Sequence, residues 1–408
     1  MGLREDADRI IAAALRDALP DVAVRRELER LPEEEGRLVV VAIGKAAWQM
    51  AAAACDTLGE RIDRGVVVTK YGHLRGELTR LALYEAGHPV PDENSYRAAQ
   101  AALDCVSGLT REDRVLFLVS GGGSALFEKP LIAPEELADI TRQLLACGAD
   151  ITEINTLRKR FSAVKGGRFA QRCAPARVLS ILLSDVLGDP PDMIASGPAY
   201  PDSTTCAQAM EIAERYGLRL SDDARRCLSM ETPKALSNVE TRITGSVRQL
   251  CASAERVCAA LGYEPVFLTD RLSCEAREAG AFLAAIARSQ AGRGRRAFIL
   301  GGETVVHLTG DGLGGRNQEL ALSAARGMDG LTGALLFSVG SDGTDGPTDA
   351  AGGWVDGNTA AALREKGIDI EQVLARNDAY RALQACGGLI TTGPTGTNVN
   401  DLTVLLVE

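Results

Sequence analysis

Histidine, tryptophan and closely spaced cysteine are scarce in this 408-residue chain, and two of these scarcities close off a class of chemistry. Only His73, His88 and His307 are present, too far apart in sequence for an H-E-x-x-H or a facial metal site. The cysteines run singly from Cys55 to Cys386, with Cys251 and Cys258 the closest pair, so no C-x-x-C exists for zinc or redox chemistry. They read as free thiols serving as small buried hydrophobes. No segment reaches the roughly 20 consecutive apolar residues of a spanning helix. The N-terminus carries Arg4, Glu5, Asp6, Asp8 and Arg9 where a signal peptide needs an apolar stretch, so a cytoplasmic location and no membrane partner are expected. Positive charge is short as well. The net charge of -10 removes the broad electropositive face of a phosphate-backbone binder, and nucleic acid is not an expected partner.

What the chain does hold is apolar residue in short, regular runs. At 46% hydrophobic and 25% charged it can bury a sizeable core, and its length asks for two domains. Leu3, Ala7, Ile10, Ala14 and Ala18 form one stripe at helical spacing. Strand, turn, helix, strand then follows at 38–43, Gly44-Lys45, 46–58 and 65–69. The pattern repeats with strands at 115–119 and 178–183, each running into a turn of small or acidic residues. The polar stretch 227–238, broken by Pro233, marks the expected linker, which divides the chain into domains 1–232 and 233–408. Beyond it, strands are expected at 264–269, 297–300, 304–308, 334–339 and 404–407, with helices at 247–261, 274–291 and 317–326. Short strands joined by Gly-Gly turns favour a mixed sheet there. The fold class is therefore α/β, with a parallel N-terminal sheet and a mixed C-terminal domain.

In open α/β sheets ligands lie at the carboxyl ends of strands, so the turns carry the candidate site. Gly44-Lys45 follows the first strand. Ser120, Gly121, Gly122, Gly123 and Ser124 follow another, and three consecutive glycines framed by serines suit an anion nest. Asp342, Asp345 and Asp349 cluster in Ser-Asp-Gly-Thr-Asp-Gly-Pro-Thr-Asp as a metal or hydroxyl site, against the plain reading of turn and cap residues. Glycine amides, hydroxyls, a lysine and carboxylates together are the equipment of phosphoryl transfer. Walker A is absent, since Ala46 follows the only Gly-Lys after a strand and no glycine stands five residues before Gly44. A dinucleotide G-x-G-x-x-G matches by letter at Gly310, Gly312 and Gly315. Asp342 lies further past Gly315 than the roughly 20 residues usual for the ribose acid.

The chain resembles the glycerate 2-kinase family whose C-terminal part is the MOFRL domain, some members of which are labelled hydroxypyruvate reductase. The resemblance runs from about Arg4 to Val407. It rests on Ile43-Gly44-Lys45-Ala46-Ala47, the segment 86–92, Ser120 to Leu126, Glu153 to Arg158 with Lys165-Gly-Gly-Arg168, Leu183 to Asp189, Ile194 to Pro198, Gly301-Gly-Glu-Thr304, Gly314 to Glu319, Asp342 to Asp349 and Thr392 to Asn398. It implies a Rossmann-like α/β/α N-terminal domain, an active site in an interdomain cleft, and an ATP-dependent kinase that phosphorylates D-glycerate to 2-phosphoglycerate with Mg²⁺. Residues matching Lys45 and Arg316 are regarded as catalytic in that family. We add Asp189 as the acceptor of the hydroxyl proton or a Mg²⁺ ligand, with Asp185 second. Glu303, Asn317 and Asp342 are expected at the ligand, and Asp345 and Asp349 at the metal. Where relatives tend to read Gly-Ser-Asn, this chain has Gly245-Ser246-Val247. An NAD(P)H-dependent hydroxypyruvate reductase and a non-enzymatic small-anion binding module are the alternatives. The oligomeric state stays open in the sequence, a homodimer being the assembly to test.

Overall fold

The structure, a computed structural model, describes every residue except Met1, Arg30, Glu33, Glu34, Asp185, Leu187 and Asp189. Its residues pack as two units, Ala23–Thr244 and a second formed by Met1–Val22 with Gly245–Glu408. This differs from the division at 232/233. Pro233 does interrupt regular structure, but the strand after it still joins the first sheet, and the first helix, Leu3–Asp17, belongs to the second unit.

The Ala23–Thr244 unit is built on a six-stranded sheet. Its strands are β1 (Leu38–Ile43), β2 (Ile62–Lys70), β3 (Leu81–Ala86), β4 (Arg114–Val119), β5 (Arg177–Leu183) and β6 (Val239–Gly245), in the order β3-β2-β1-β4-β5-β6. Pairing from β3 through β5 is parallel. Every residue of β1 is buried, as a strand covered on both faces requires, which explains its unbroken Leu-Val-Val-Val-Ala-Ile. One face packs Val39, Val41 and Phe117 with Phe127 and Phe169; the other packs Val40 and Leu116 under Met50 and Ala54 of the helix Ala47–Leu58. The register pairs Ile43 with Val119, so the turns leaving β1 and β4 lie side by side. The Rossmann-like parallel sheet is as expected.

In the second unit the strands are β7 (Glu264–Leu272), β8 (Arg296–Gly302), β9 (Ala334–Gly340), β10 (Gly352–Asp356), β11 (Leu389–Ile390) and β12 (Asp401–Val407), in the order β11-β10-β9-β12-β8-β7. β7 and β8 are parallel, and β12 runs antiparallel between β8 and β9, so the sheet is mixed. The helix Arg316–Met328 packs on one face, and Leu3–Asp17 with Val247–Ala260 on the other. Val247 is buried, its side chain standing where Gly301 leaves room, and Ser246 caps that helix.

Two expectations fail here. Residues 304–308 form no strand: both flanks of β8 are already paired, and Val305 makes only an isolated bridge to Glu275 while Leu308 is 83% exposed. The ten cysteines are all free, but Cys147 and Cys274 are exposed and only Cys173, Cys227, Cys251 and Cys258 are fully buried. Among the described residues no helix is long and apolar enough to cross a membrane.

Candidate active site

The paired ends of β1 and β4 set the geometry of the first loop. Ser120 N–H donates to Ile43 O at 3.0 Å, Lys45 N–H to Gly121 O at 2.9 Å, and Ala46 N–H to Ser120 Oγ at 3.1 Å. Ser120 is therefore buried and spent on structure rather than facing a ligand. Gly122 adopts φ 84°, and an added Cβ there would lie 3.0 Å from the His88 ring and 3.2 Å from Lys45 Cγ, so glycine is required on two counts. A short helix, Gly123–Leu126, follows. Among the described residues the N–H groups of Gly121 to Ser124 meet no acceptor, and Lys45 and Lys70 meet no acid. His88 feels the concentration of positive charge: burial lowers its pKa first, and Lys45, Lys70 and His73 lower it further.

A cavity of about 270 Å³ opens beside this loop, lined among others by Gly121, Gly122, Ser124, His88, Asn155 and Arg158. Ser124 Oγ lies 2.9 Å from Ser196 Oγ, which donates to Asn155 Oδ1 at 3.0 Å. Ala195 and Ser196 hold φ of 52° and 60°, a left-handed conformation that costs non-glycine residues about 1–3 kcal/mol each. Neighbours hold them there: Gly166 N–H donates to Ser196 O at 3.1 Å and Gly167 N–H to Gly197 O at 2.7 Å. Beneath, the fully buried Lys165 donates to Glu128 Oε2 at 2.7 Å and to Phe127 O at 2.9 Å, fixing the chain just past the short helix. The Ile194 to Pro198 and Lys165 to Arg168 segments are thus the frame of this cavity.

The second unit carries Arg316 at the first position of the helix Arg316–Met328. Its guanidinium donates to both oxygens of Asp401, at 2.6 and 3.0 Å, and to Glu303 Oε1 at 2.8 Å. Burial alone would lower the Arg316 pKa, but Asp401 and Glu303 outweigh it and hold it above the ordinary value. Burial pushes the Asp401 carboxyl up to about 6 against the pull of Arg316. Asp345 is buried and accepts from Asn317 N–H, Gln318 N–H, Asn317 Nδ2 and Gln318 Nε2, all within 3.3 Å, while burial raises its pKa. It serves as a cap on the helix start.

Residues 6–229 match the family described as a domain of unknown function (DUF4147), and 296–401 match the MOFRL family. A D-glycerate 2-kinase from Thermotoga maritima is 51% identical across 99% of this chain and 98% of its own length. The chain belongs to the glycerate 2-kinase family with a MOFRL domain. A glycerate 2-kinase from Pyrococcus horikoshii is 41% identical across all of this chain and 98% of its own. The crystal structure of a Thermotoga maritima glycerate kinase superposes with a TM-score of 0.96 at 50% identity, covering 100% of this chain and 99% of the other. Some members of the family bear the name hydroxypyruvate reductase.

Set against this family membership, the expected site residues separate. Lys45, Gly121, Gly122, Gly123 and Ser124 are brought together at one cavity mouth. Arg316 and Glu303 are together in the other unit, joined by Asp401, which no motif had pointed to. Asn317 is buried and engaged by Asp345 and Ser338, so it is a packing residue and not a ligand contact. Asp342, Asp345 and Asp349 do not converge: Asp342 accepts from Thr344 in a turn, and Asp349 accepts from Tyr380 OH at 2.7 Å. Among the described residues no group of three or more His, Cys, Asp or Glu could hold a metal ion. Asp185 and Asp189 lie outside the described residues. Sequence reasoning missed His88, Asn155, Arg158 and Asp401 as site residues. A signal existed for the helix residues: Ile151, Asn155 and Arg158 recur at the spacing of one helix face.

Proposed function

We propose that the protein transfers the γ-phosphoryl group of ATP to the 2-hydroxyl of D-glycerate, giving 2-phosphoglycerate and ADP. One observation carries the reading: in a chain of net charge -10, the free amides of Gly121 to Ser124 stand beside one small cavity, with unpaired Lys45 against Gly122 and both Lys45 and Lys70 acting on His88 in the cavity wall. Both substrates are anions, and a loose phosphoryl-transfer transition state asks for alignment and charge stabilisation rather than a covalent nucleophile. Lys45 would neutralise the transferred group and the loop amides would hold its oxygens. Arg316, oriented by Asp401 and Glu303, is the second cation assigned to the same step. Asp189 stays the acceptor of the hydroxyl proton, with Asp185 second.

Of the acids expected at Mg²⁺, Asp345 is saturated by donors and Asp342 and Asp349 are engaged apart from it, while Asp185 and Asp189 lie outside the described residues. We therefore propose that the divalent cation enters with the nucleotide, as a hard ion that keeps several waters and few protein ligands does. Ten free thiols suit a reducing compartment, and a cytoplasmic location belongs to the proposal.

The reductase reading loses its motif and keeps only the name that some family members bear. The G-x-G-x-x-G loop spends its amides on its own packing: Gly310 N–H donates to Asn377 Oδ1, Gly312 N–H to Arg376 O and Leu313 N–H to Asp378 Oδ1. A Cβ on Gly312 would lie 2.4 Å from Arg376 O, so that glycine serves close contact with its own chain. The test is ADP release with D-glycerate, ATP and a divalent cation beside NADH oxidation by hydroxypyruvate. ADP should appear only when all three components are present, and EDTA should stop it; NADH oxidation at a comparable rate would overturn the kinase reading.

A further inference from the structure

Arg158 stands apart from the cations around it. Its neighbours in the helix Ile151–Arg160 are committed: Lys159 pairs with Asp202 at 3.2 Å and Asp192 at 3.4 Å, and Arg160 pairs with Asp202 at 3.4 Å and donates to Thr204. The Arg158 guanidinium makes no hydrogen bond or ion pair among the described residues, although it is half-buried and burial lowers its pKa. Glu128 acts on it only at a distance, its two oxygens being taken by Lys165 Nζ and Lys129 N–H. A desolvated guanidinium without a partner is costly unless an anion completes it.

The cavity says which anion. Ile151, Asn155 and Arg158 form one wall, one helix face; Met193, Ile194, Ala195 and Val186 supply an apolar side; Ser124 lies at the glycine loop. At about 270 Å³ the cavity is below the ~300 Å³ at which sites for drug-sized ligands begin, a size that suits one small acid. A planar guanidinium matches a carboxylate through two parallel hydrogen bonds. We propose that Arg158 binds the carboxylate of the acceptor and makes this site select 2-hydroxy acids over uncharged polyols, an inference that rests on the glycerate kinase reading. With the carboxylate at Arg158, the adjacent hydroxyl is directed toward the Gly121 to Ser124 amides and Lys45, which remain for the phosphoryl group.

The experiment is acceptor kinetics on Arg158→Ala and Arg158→Lys with D-glycerate and glycerol, alongside the ATP KM of the same preparations. Arg158→Ala should lose on the order of 10²- to 10³-fold in kcat/KM for D-glycerate, mainly through KM. The loss for glycerol should be much smaller than that for D-glycerate, and ATP KM should stay within a few-fold. Arg158→Lys should recover part of the loss, and added guanidinium ion should partly rescue Arg158→Ala. An equal loss for both acceptors, a raised ATP KM with unchanged D-glycerate KM, or no change would each overturn the assignment. Because Arg158 makes no internal bond, both variants should unfold at the wild-type temperature; a matched fall in Tm for both would return it to a structural role and also count against the proposal. A wild-type protein that does not phosphorylate D-glycerate at all would instead refute the kinase reading itself.

Discussion

Two glycine-rich loops follow apolar strands in this chain, and their backbones have opposite fates. After β4, the amides of Gly121 to Ser124 are left without acceptors and the nearby Lys45 and Arg158 without acids. After β8, the amides of Gly310, Gly312 and Leu313 are all occupied by the 376–378 turn, and Arg316 is held by two carboxylates. The letters alone favour the second loop, which matches a named fingerprint. Hydrogen-bond accounting favours the first, because an unsatisfied donor is available to a ligand and a satisfied one is not.

Lys45→Ala should break the first loop's function hardest, lowering kcat by roughly 10²- to 10⁴-fold with Tm unchanged, because Lys45 is exposed and bonded only through its backbone. Lys45→Arg should rescue it only in part, as shown by steady-state ADP release. Arg316→Ala should cost less in rate, about 10²- to 10³-fold, since two carboxylates already offset part of its charge. It should also lower stability by up to about 3 kcal/mol in denaturant melts, because buried Asp401 is left unpaired. A normal rate with lower stability would make Arg316 purely structural.

Asp401 sharpens the contrast through pH. Its folded pKa of about 6 lies above the ordinary aspartate value near 4, so between these the native state keeps a proton that the unfolded chain has lost. This group's contribution to stability therefore falls as pH rises from roughly 4 to 6. Asp401→Asn should flatten the slope of Tm against pH in that window; an unchanged slope would contradict it. Gly122→Ala is the smallest perturbation in atoms, and at φ 84° it should cost about 1–2 kcal/mol and slow turnover by pushing on Lys45 and His88.

How much of this was legible beforehand depends on whether a residue's role is local. β1 is bounded at Leu38 and Ile43 as its six apolar residues predict, and Gly44-Lys45 and the serine-glycine turn stand where strand ends must put them. Residues 304–308 have a strand's composition but no sheet edge to receive them, and pairing is not a property of the segment. The acids of 342–349 could not be separated into turn, cap and metal residues, because Asp beside Gly and Pro has the same composition in all three. Arg158 was part of a quoted motif, yet its distinction is the partner it lacks while Lys159 and Arg160 have theirs. That depends on the whole packed unit.

The measurement that goes straight to the comparison is single-turnover transfer of the γ-phosphoryl group to D-glycerate, run on Lys45→Ala and Gly312→Ala side by side. Gly312→Ala disturbs the fingerprint loop by forcing a Cβ toward Arg376 O, so it should lower Tm while leaving the rate per folded molecule near that of the unmodified protein. Lys45→Ala should keep its Tm and lose at least about 10²-fold in rate. The reverse pattern, with Lys45→Ala transferring phosphate at the normal rate and Gly312→Ala failing to, would contradict the assignment of the chemistry to the loops after β1 and β4.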